Sequence, residues 1–489
     1  MDYPGFIGGS YQAQSLTADA ERTVNLYVEK FDVPSAKHDK ALYPTPGFAA
    51  FSQPLPGFPT GIPDVGARAF KYANGRLFAV MATGLYEINS DGTWTKRGTI
   101  MQDSMPAQIA FNGLAGGQLL IGSGSNAYCF VLATNTLTQV LTGEAHQVDF
   151  AHGYFLAFNR TNGHVRLSAL NDGTSWDPNQ FFARSLLADP WQTMFVDSQS
   201  LVWLIGTETY EVWYDSGAFP QPFAPLTGLI GRYGIVAPAA FAVLGNQSFW
   251  LTTNSEGDVG LYTPAGGGGM VSTYAVASAL ADYEATAKIT DAECLTHAER
   301  GHPFIIVQCP SVPATWAYDV KSQSWAERGR WNSAQNRFDL WAPRVHVKAF
   351  GKHLVGDRTT GTIAEMSARY GTEIDGTPIL RLRQAPGLTD EHKRHPIDQL
   401  ELLMDTGLSL VSGGEQDTNV QAMLRVSDDA GRTFGNERRA GIGRIGEYRR
   451  RVFWTRLGAP PDAVVRVTFA TQAPTRIVNA WLNNLEQVA

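Results

Sequence analysis

From about Phe70 to Met366 the chain alternates short apolar runs with clusters of Gly, Asn, Asp and Ser, the rhythm of strands joined by tight turns. The stretch "GRLFAVMATGLYEINSDGTW" (75–94) reads as a strand, a turn at Thr83-Gly84, a second strand and a turn at Ser90-Asp91-Gly92. "SLVWLIGTETYEVWYDSG" (200–217) and "HPFIIVQCPSVPATWAYDVKSQSW" (302–325) repeat the plan. They share residues as well as pattern. An aromatic–acid–β-branched triad occurs as Tyr86-Glu87-Ile88, Tyr210-Glu211-Val212 and Tyr318-Asp319-Val320. The first and third run through a polar turn into Trp-x-x-Arg-Gly, as "TWTKRG" (93–98) and "SWAERG" (324–329). Hairpins recurring in this way mark propeller blades, small sheets that bury aromatics against their neighbours. The spacing is too irregular to fix a blade number, and the pattern predicts a mainly β protein with a degenerate propeller-like core.

Three flanking features set the domain plan. Residues 1–69 carry Pro or Gly every few positions in "YPTPGFAAFSQPLPGFPTGIPD", which excludes a helix and predicts an extended N-terminal arm. Within the propeller-like domain, 70–373, the Ala-rich "STYAVASALADYEATAKI" (272–289) spaces Val276, Leu280 and Tyr283 for one helix, capped by Ser272 or Thr273. The "GGGG" before it lacks the Lys-Ser/Thr of a phosphate loop. From 374 to 489 a second β region follows, with strands in "QLELLMD", "NVQAMLRVSDD", "RRVFWTRLG" and "AVVRVTFAT". It predicts a C-terminal sandwich-like domain that shares strands with the arm.

Composition supports this plan and narrows the function. Of 489 residues only 17% are charged while 49 are Gly and 11% aromatic, which favours turn-rich β structure over helices. The net charge of −7 argues against a protein that binds nucleic acid by neutralising phosphates. Cys129, Cys294 and Cys309 show no metal spacing and read as buried apolar side chains. No secretory signal opens the chain and no apolar window approaches a membrane span, so a soluble product of a reducing cytosol is expected.

The stretch "SALNDGTSWDP" (168–178) offers a choice between a ligand loop and a hairpin. A calcium loop needs a longer run of oxygen ligands ending in a bidentate carboxylate, which is absent. Asp172 and Gly173 suit a tight turn with Trp176 as the plug beneath it. "SDDAGRTF" (427–434) matches the Ser-x-Asp-x-Gly-x-Thr-aromatic hairpin of sialidase-type propellers, where it is a structural brick, with Asp429, Gly431 and Phe434 in the corresponding places. The histidine pairs in "HAERGH" (297–302) and "EHKRHP" (391–396) lack metalloprotease spacing, and no nucleophile elbow is present. No catalytic, metal-ligating or cofactor-binding residue is expected, and no cofactor.

One charge feature stands out. Between Arg425 and Arg456 nine arginines face four acids, a local balance of +5 within an acidic chain. The simplest reading is a solvated strand edge that resists pairing. The functional one is a dock for an acidic partner protein or for DNA phosphates, the first favoured because the cations are Arg and not Lys, with Arg438, Arg439, Arg449, Arg450 and Arg451 as its candidates.

Several segments, in order along the chain, resemble one family. "GSYQAQSLTADAERTVNLYVE" (9–29), "ALYPTPGF" (41–48), "HGYFLAFNRTNGHVRLSALNDGTSWDP" (152–178), "TETYEVWYDSG" (207–217), "GHPFIIVQCPSVPATWAYDVKSQSWAERG" (301–329) and "FGKHLVGDRTTGTIAEM" (350–366) are similar to the packaged-DNA stabilisation proteins, the tail hub or nozzle, of short-tailed bacteriophages. The resemblance implies a structural virion protein. Six copies would form a ring below the portal and its adaptor and continue the channel for double-stranded DNA without sequence-specific binding. The ring would retain packaged DNA and bind a needle or plug, with tailspikes or fibres around it. A strongly negative ring suits a conduit that must not grip a sliding polyanion. The rival reading is a virion-associated glycan-binding or sialidase-like propeller.

Overall fold

The structure is a computed structural model that describes residues 1–483 except 34, 60–63, 114–116, 184–185, 220, 254–256, 390–393 and 395. His392 and His395 of "EHKRHP" therefore lie outside the described residues.

Seven four-stranded antiparallel units can be followed among the described residues. Their first strands are Ala67–Ala73, Gln108–Phe111, Gln147–Ala151, Trp191–Val196, Phe241–Leu244, Glu293–Glu299 and Pro343–Ala349. Those of blades one to four lie side by side, as do those of five to seven, and the seventh returns to the first. Stacked rings of Phe195 and Phe241, 4.7 Å apart, join the fourth blade to the fifth and complete the circle. The second strands, such as Arg76–Met81, are apolar on both faces because each blade is sandwiched between two others. Aromatic pairs fill the seams: Phe78 with Phe130 at 5.4 Å, Phe182 with Trp213 at 4.7 Å and Trp203 with Trp250 at 5.9 Å. Such pairs each add about 0.5–1.5 kcal/mol beyond their buried area.

The two chain regions flanking the propeller are woven together. Residues 1–69 do not run as a purely extended arm. Gly47–Ala50 pairs with Ile363–Ser367 and supplies the outer strand of the seventh blade. Leu26–Lys30 and Lys40–Pro44 form a hairpin that joins Ile477–Asn483, Gln399–Met404 and Val452–Thr455 in one sheet of the sandwich. Ala20–Val24 sits between the sixth blade and the other sandwich sheet. Val24 meets Glu327 in parallel, and Arg22, Thr23 and Val24 pair antiparallel with Leu380–Gln384. One continuous sheet thus crosses from the blade through Ala20–Val24 to Leu380–Gln384, Asp462–Ala470, Gln421–Ser427 and Arg438–Gly441. The first blade begins at Ala67, so its first strand takes the last three residues of the segment assigned to the arm. Pro and Gly suppress helix but leave edge and terminal strands free to form, and strand pairing is what those segments adopt.

The sandwich core packs Leu26, Val28, Leu42, Leu400, Val467 and Ile477 between its two sheets. Between the fifth and sixth blades the helix Tyr274–Ala287 is capped by Thr273, whose hydroxyl accepts from the Val276 N–H at 3.4 Å. It buries Ala275, Val276 and Leu280 against the blades. Among the described residues no helix is long and apolar enough to cross a membrane.

Candidate functional site

The Arg-rich face lies on the sandwich, along Gln421–Ser427, Arg438–Gly441, Val452–Thr455 and the loop between the last two. Its first turn is built by Asp429. The Asp429 carboxylate accepts from the Ser427 hydroxyl at 2.6 Å and from the Thr433 N–H at 2.8 Å and hydroxyl at 2.7 Å. These bonds, that from Ser427 first, hold it down at about 2. Ala430 and Gly431 take the left-handed backbone that closes the loop. Phe434 does not plug a core. It is half-buried, with the Arg466 guanidinium 3.6 Å from its ring centroid.

The five candidate arginines separate into two groups. Arg438 donates to the Thr455 and Arg456 carbonyls at 3.0 and 2.7 Å, and Arg439 pairs with Glu437 at 2.8 Å. Arg451 forks onto Glu401 at 2.7 and 2.5 Å, which holds that carboxyl below its usual range. Arg449 and Arg450 are exposed, as is Arg444 in the same loop. The side chains of these three make no hydrogen bond or ion pair with the described residues. Ile445, Tyr448 and Phe453 beside them are 57%, 67% and 43% exposed, an apolar accompaniment that charge counting does not reveal.

The turn at 168–178 is made differently from its sequence reading. Asp172 accepts from the Thr174 N–H and hydroxyl, at 2.9 and 2.7 Å, and from the Gln118 amide. The left-handed residue is Asn171, with φ of 57°, not Gly173. Gly173 is required for space instead: a Cβ there would stand 2.9 Å from the Phe155 ring and 3.2 Å from the Cys129 sulfur. Trp176 is half-buried against this seam, and its indole N–H donates to the Gly173 carbonyl at 2.8 Å.

Sequence reading missed the charges inside the propeller. A cavity of about 410 Å³ lies at its axis, lined by Arg68, Arg344, Arg160, Asp103, Asp149 and Glu293 among others. Glu293 is clasped by Arg344, at 2.8 and 3.1 Å, and by Arg358, at 2.6 and 3.1 Å. Arg68 pairs with Asp103 and donates to the Met105 carbonyl at 2.9 Å. Asp149 accepts from the Val196 and Phe150 N–H groups, and burial raises its carboxyl. The donors and acceptors here are largely engaged with one another. The available signal was positional: Arg68 and Arg344 are each the second residue of an innermost strand. Among the described residues no group of three or more His, Cys, Asp or Glu is placed to hold a metal ion.

Residues 8–370 match the family described as bacteriophage P22 Gp10, β-propeller, and residues 381–483 match bacteriophage P22 Gp10, β-sandwich. No curated protein matches the chain. Similar solved structures include virginiamycin B lyase from Staphylococcus aureus, 10% identical over 65% of this chain and 99% of that one, with a TM-score of 0.42. A chain of the mitotic checkpoint complex is 9% identical over 69% and 96%, with a TM-score of 0.42. YCF48 from Cyanidioschyzon merolae is 12% identical over 66% and 98%, at 0.39.

Proposed function

We propose, on the premise that the chain belongs to the bacteriophage P22 Gp10 family and is a structural component of the virion, that it acts as a tail hub. Six copies form a ring below the portal and adaptor, continue the DNA exit channel, retain packaged DNA and dock the needle or plug and the spikes or fibres. The protein performs no catalysis, needs no cofactor and is made in the host cytoplasm before assembly. The observation that carries this reading is the free surface of Arg444, Arg449 and Arg450 beside exposed Tyr448 and Ile445. Arginine with aromatic and aliphatic neighbours is the composition of a protein interface. A closed ring needs two unlike patches on each copy, and this face is one of them. The net charge of −7 per copy leaves the assembled conduit repulsive to DNA.

Light scattering on the purified chain, alone and with the phage's portal–adaptor assembly, tests the reading. A chain that joins the assembly in six copies supports it. Replacing Arg449 and Arg450 with Glu is expected to abolish joining while leaving the unfolding midpoint unchanged. A chain that never binds the assembly, or binds as well with both arginines reversed, sinks the proposal and turns attention to the glycan-binding rival.

A further inference from the structure

The sheet that crosses from the sixth blade into the sandwich carries a row of arginines on one face. Arg22 lies opposite Gln384, Gln384 opposite Arg466, and Arg466 opposite Arg425, on four successive strands. Cross-strand neighbours share a face, and like charges placed directly opposite are unfavourable. Two residues along, a second row runs Val24, Leu382, Thr468, Met423. The three arginines of the first row and all of the second line a cleft of about 620 Å³ between propeller and sandwich, walled by Tyr283 of the helix and by Trp331 and Phe338 of the hairpin Arg330–Asp339.

The charges of the cationic row are unevenly balanced. Arg22 forks onto Glu327 at 3.0 and 2.5 Å. Arg425 lies 3.7 Å from Glu437, a carboxylate already engaged by Arg439 at 2.8 Å. Arg466 has no carboxylate within ion-pair distance among the described residues. The Gln384 amide oxygen takes its Nε and Nη2 at 2.9 and 2.7 Å, and Phe434 stacks beneath it. Burial, then Arg22 and Arg425, pull its guanidinium down to about 10. A partly buried cation between two others, facing open space, is a site that an anion relieves.

We propose that this cleft binds an extended acidic segment of a partner protein, its carboxylates completing the arginine row. Strands sit about 4.8 Å apart, so the row from Arg22 to Arg425 spans roughly 14 Å, the length of about four extended residues. A segment lying flat along the two rows turns alternate side chains to the arginines and to Thr468 and Met423, the part of the second row that is not fully buried. The preferred occupant therefore alternates acidic and apolar residues. Its carboxylates are recognised as arginine forks recognise them elsewhere, by paired donors of fixed geometry.

Fluorescence anisotropy on the full chain tests this with a labelled peptide of alternating Glu and Leu and its Gln-Leu counterpart. The acidic peptide is expected to bind saturably and the neutral one not to bind. Arg466→Gln and Arg425→Gln are each expected to weaken binding roughly tenfold or more, about 1.4 kcal/mol. Arg425 is half-exposed, so its variant tests the site even if Arg466→Gln fails to fold. Lys96→Gln, on the exposed outer strand of the first blade, leaves binding unchanged. Absence of binding, equal affinity in Arg425→Gln, loss in Lys96→Gln, or preference for a labelled DNA oligonucleotide each overturns the proposal.

Discussion

His302 Nε2 lies 2.9 Å from Glu29 Oε2, so a ring buried in the sixth blade reaches a carboxylate on the sandwich hairpin. Its Nδ1 meets Asp319 Oδ2 at 2.6 Å. The bond to Asp319 is the main reason the imidazole holds its proton more tightly than usual, with Glu29 adding to it and burial opposing. The folded state favours the protonated ring, so this contribution is complete below about pH 6.5 and is lost as pH rises through the elevated value. The thermal midpoint of His302→Gln is therefore expected to fall most at pH 6 and least at pH 8. An equal loss at both, followed by scanning calorimetry, would show that the pair is not titrating.

The opposite sign holds at the seam of the sixth and seventh blades. His346 Nε2 and His353 Nδ1 share one hydrogen bond at 3.0 Å, and burial, then His353, holds His346 down at about 4. The fold favours neutral His346, while the unfolded chain takes up its proton near pH 6.5. Stability is complete above that value and lost as pH falls toward 4. In His346→Gln the acid limb of the stability profile between about pH 6.5 and 4 is expected to flatten. An unchanged slope in urea denaturation across that window would remove His346 as its source.

Ring closure rests on a strand from the other end of the propeller sequence. Phe48 is 1% exposed, its ring 6.0 Å from that of Trp341. Phe48→Ala removes the main apolar anchor of Gly47–Ala50 and is expected to cost about 3–5 kcal/mol. Hydrogen exchange should then accelerate first in Ile363–Ser367, the strand it pairs with. Loss spread evenly over all blades would mean that closure and the rest of the ring unfold together.

The turn at 168–178 separates two reasons for a small residue. Gly173→Ala is expected to cost about 1–3 kcal/mol, because the new methyl meets Phe155 and Cys129. Asn171→Gly, at the left-handed position, should change stability by less than about 1 kcal/mol. Equal, small effects in chemical denaturation would return the turn to Gly173.

What could be read from the sequence was local. Tyr86-Glu87-Ile88 and Tyr210-Glu211-Val212 lie on the third strands of the first and fourth blades, and Tyr318-Asp319 on that of the sixth, so the repeated triads mark equivalent places. Their acids, however, are buried: Glu87 between Arg76 and Arg97, Asp319 against His302. A period-2 pattern cannot show this, because the partner cation comes from a neighbouring strand whose register only the fold sets. The blade number was hidden because one outer strand comes from residues 47–50. The arginine density at 425–456 was visible, yet Arg438 and Arg451 are tied down by Thr455 and Glu401, and only the folded sheet separates them from Arg449 and Arg450.

One buried side chain gathers the backbone of residues 5–9, which makes this clasp testable apart from the propeller. Arg383 donates to the carbonyls of Phe6 at 2.6 Å, Gly9 at 2.9 Å and Gly5 at 2.6 Å, and to the Thr23 hydroxyl at 2.9 Å. It also pairs with Glu21, whose carboxyl burial pushes upward against it. Arg383→Met strips its donors from the Phe6 and Gly5 carbonyls and from a half-buried acid, while the Gly9 carbonyl keeps the Thr23 hydroxyl, and a cost of about 3–5 kcal/mol is expected. Arg383→Lys should recover little of it, since one ammonium cannot reach acceptors arranged for a fork. Adding Glu21→Leu to Arg383→Met removes the orphaned charge and is expected to restore part of the loss. Faster hydrogen exchange at residues 3–10, with blades two to four unaffected, is the signature of a local clamp. Uniform destabilisation would instead place Arg383 in the cooperative core of the whole chain.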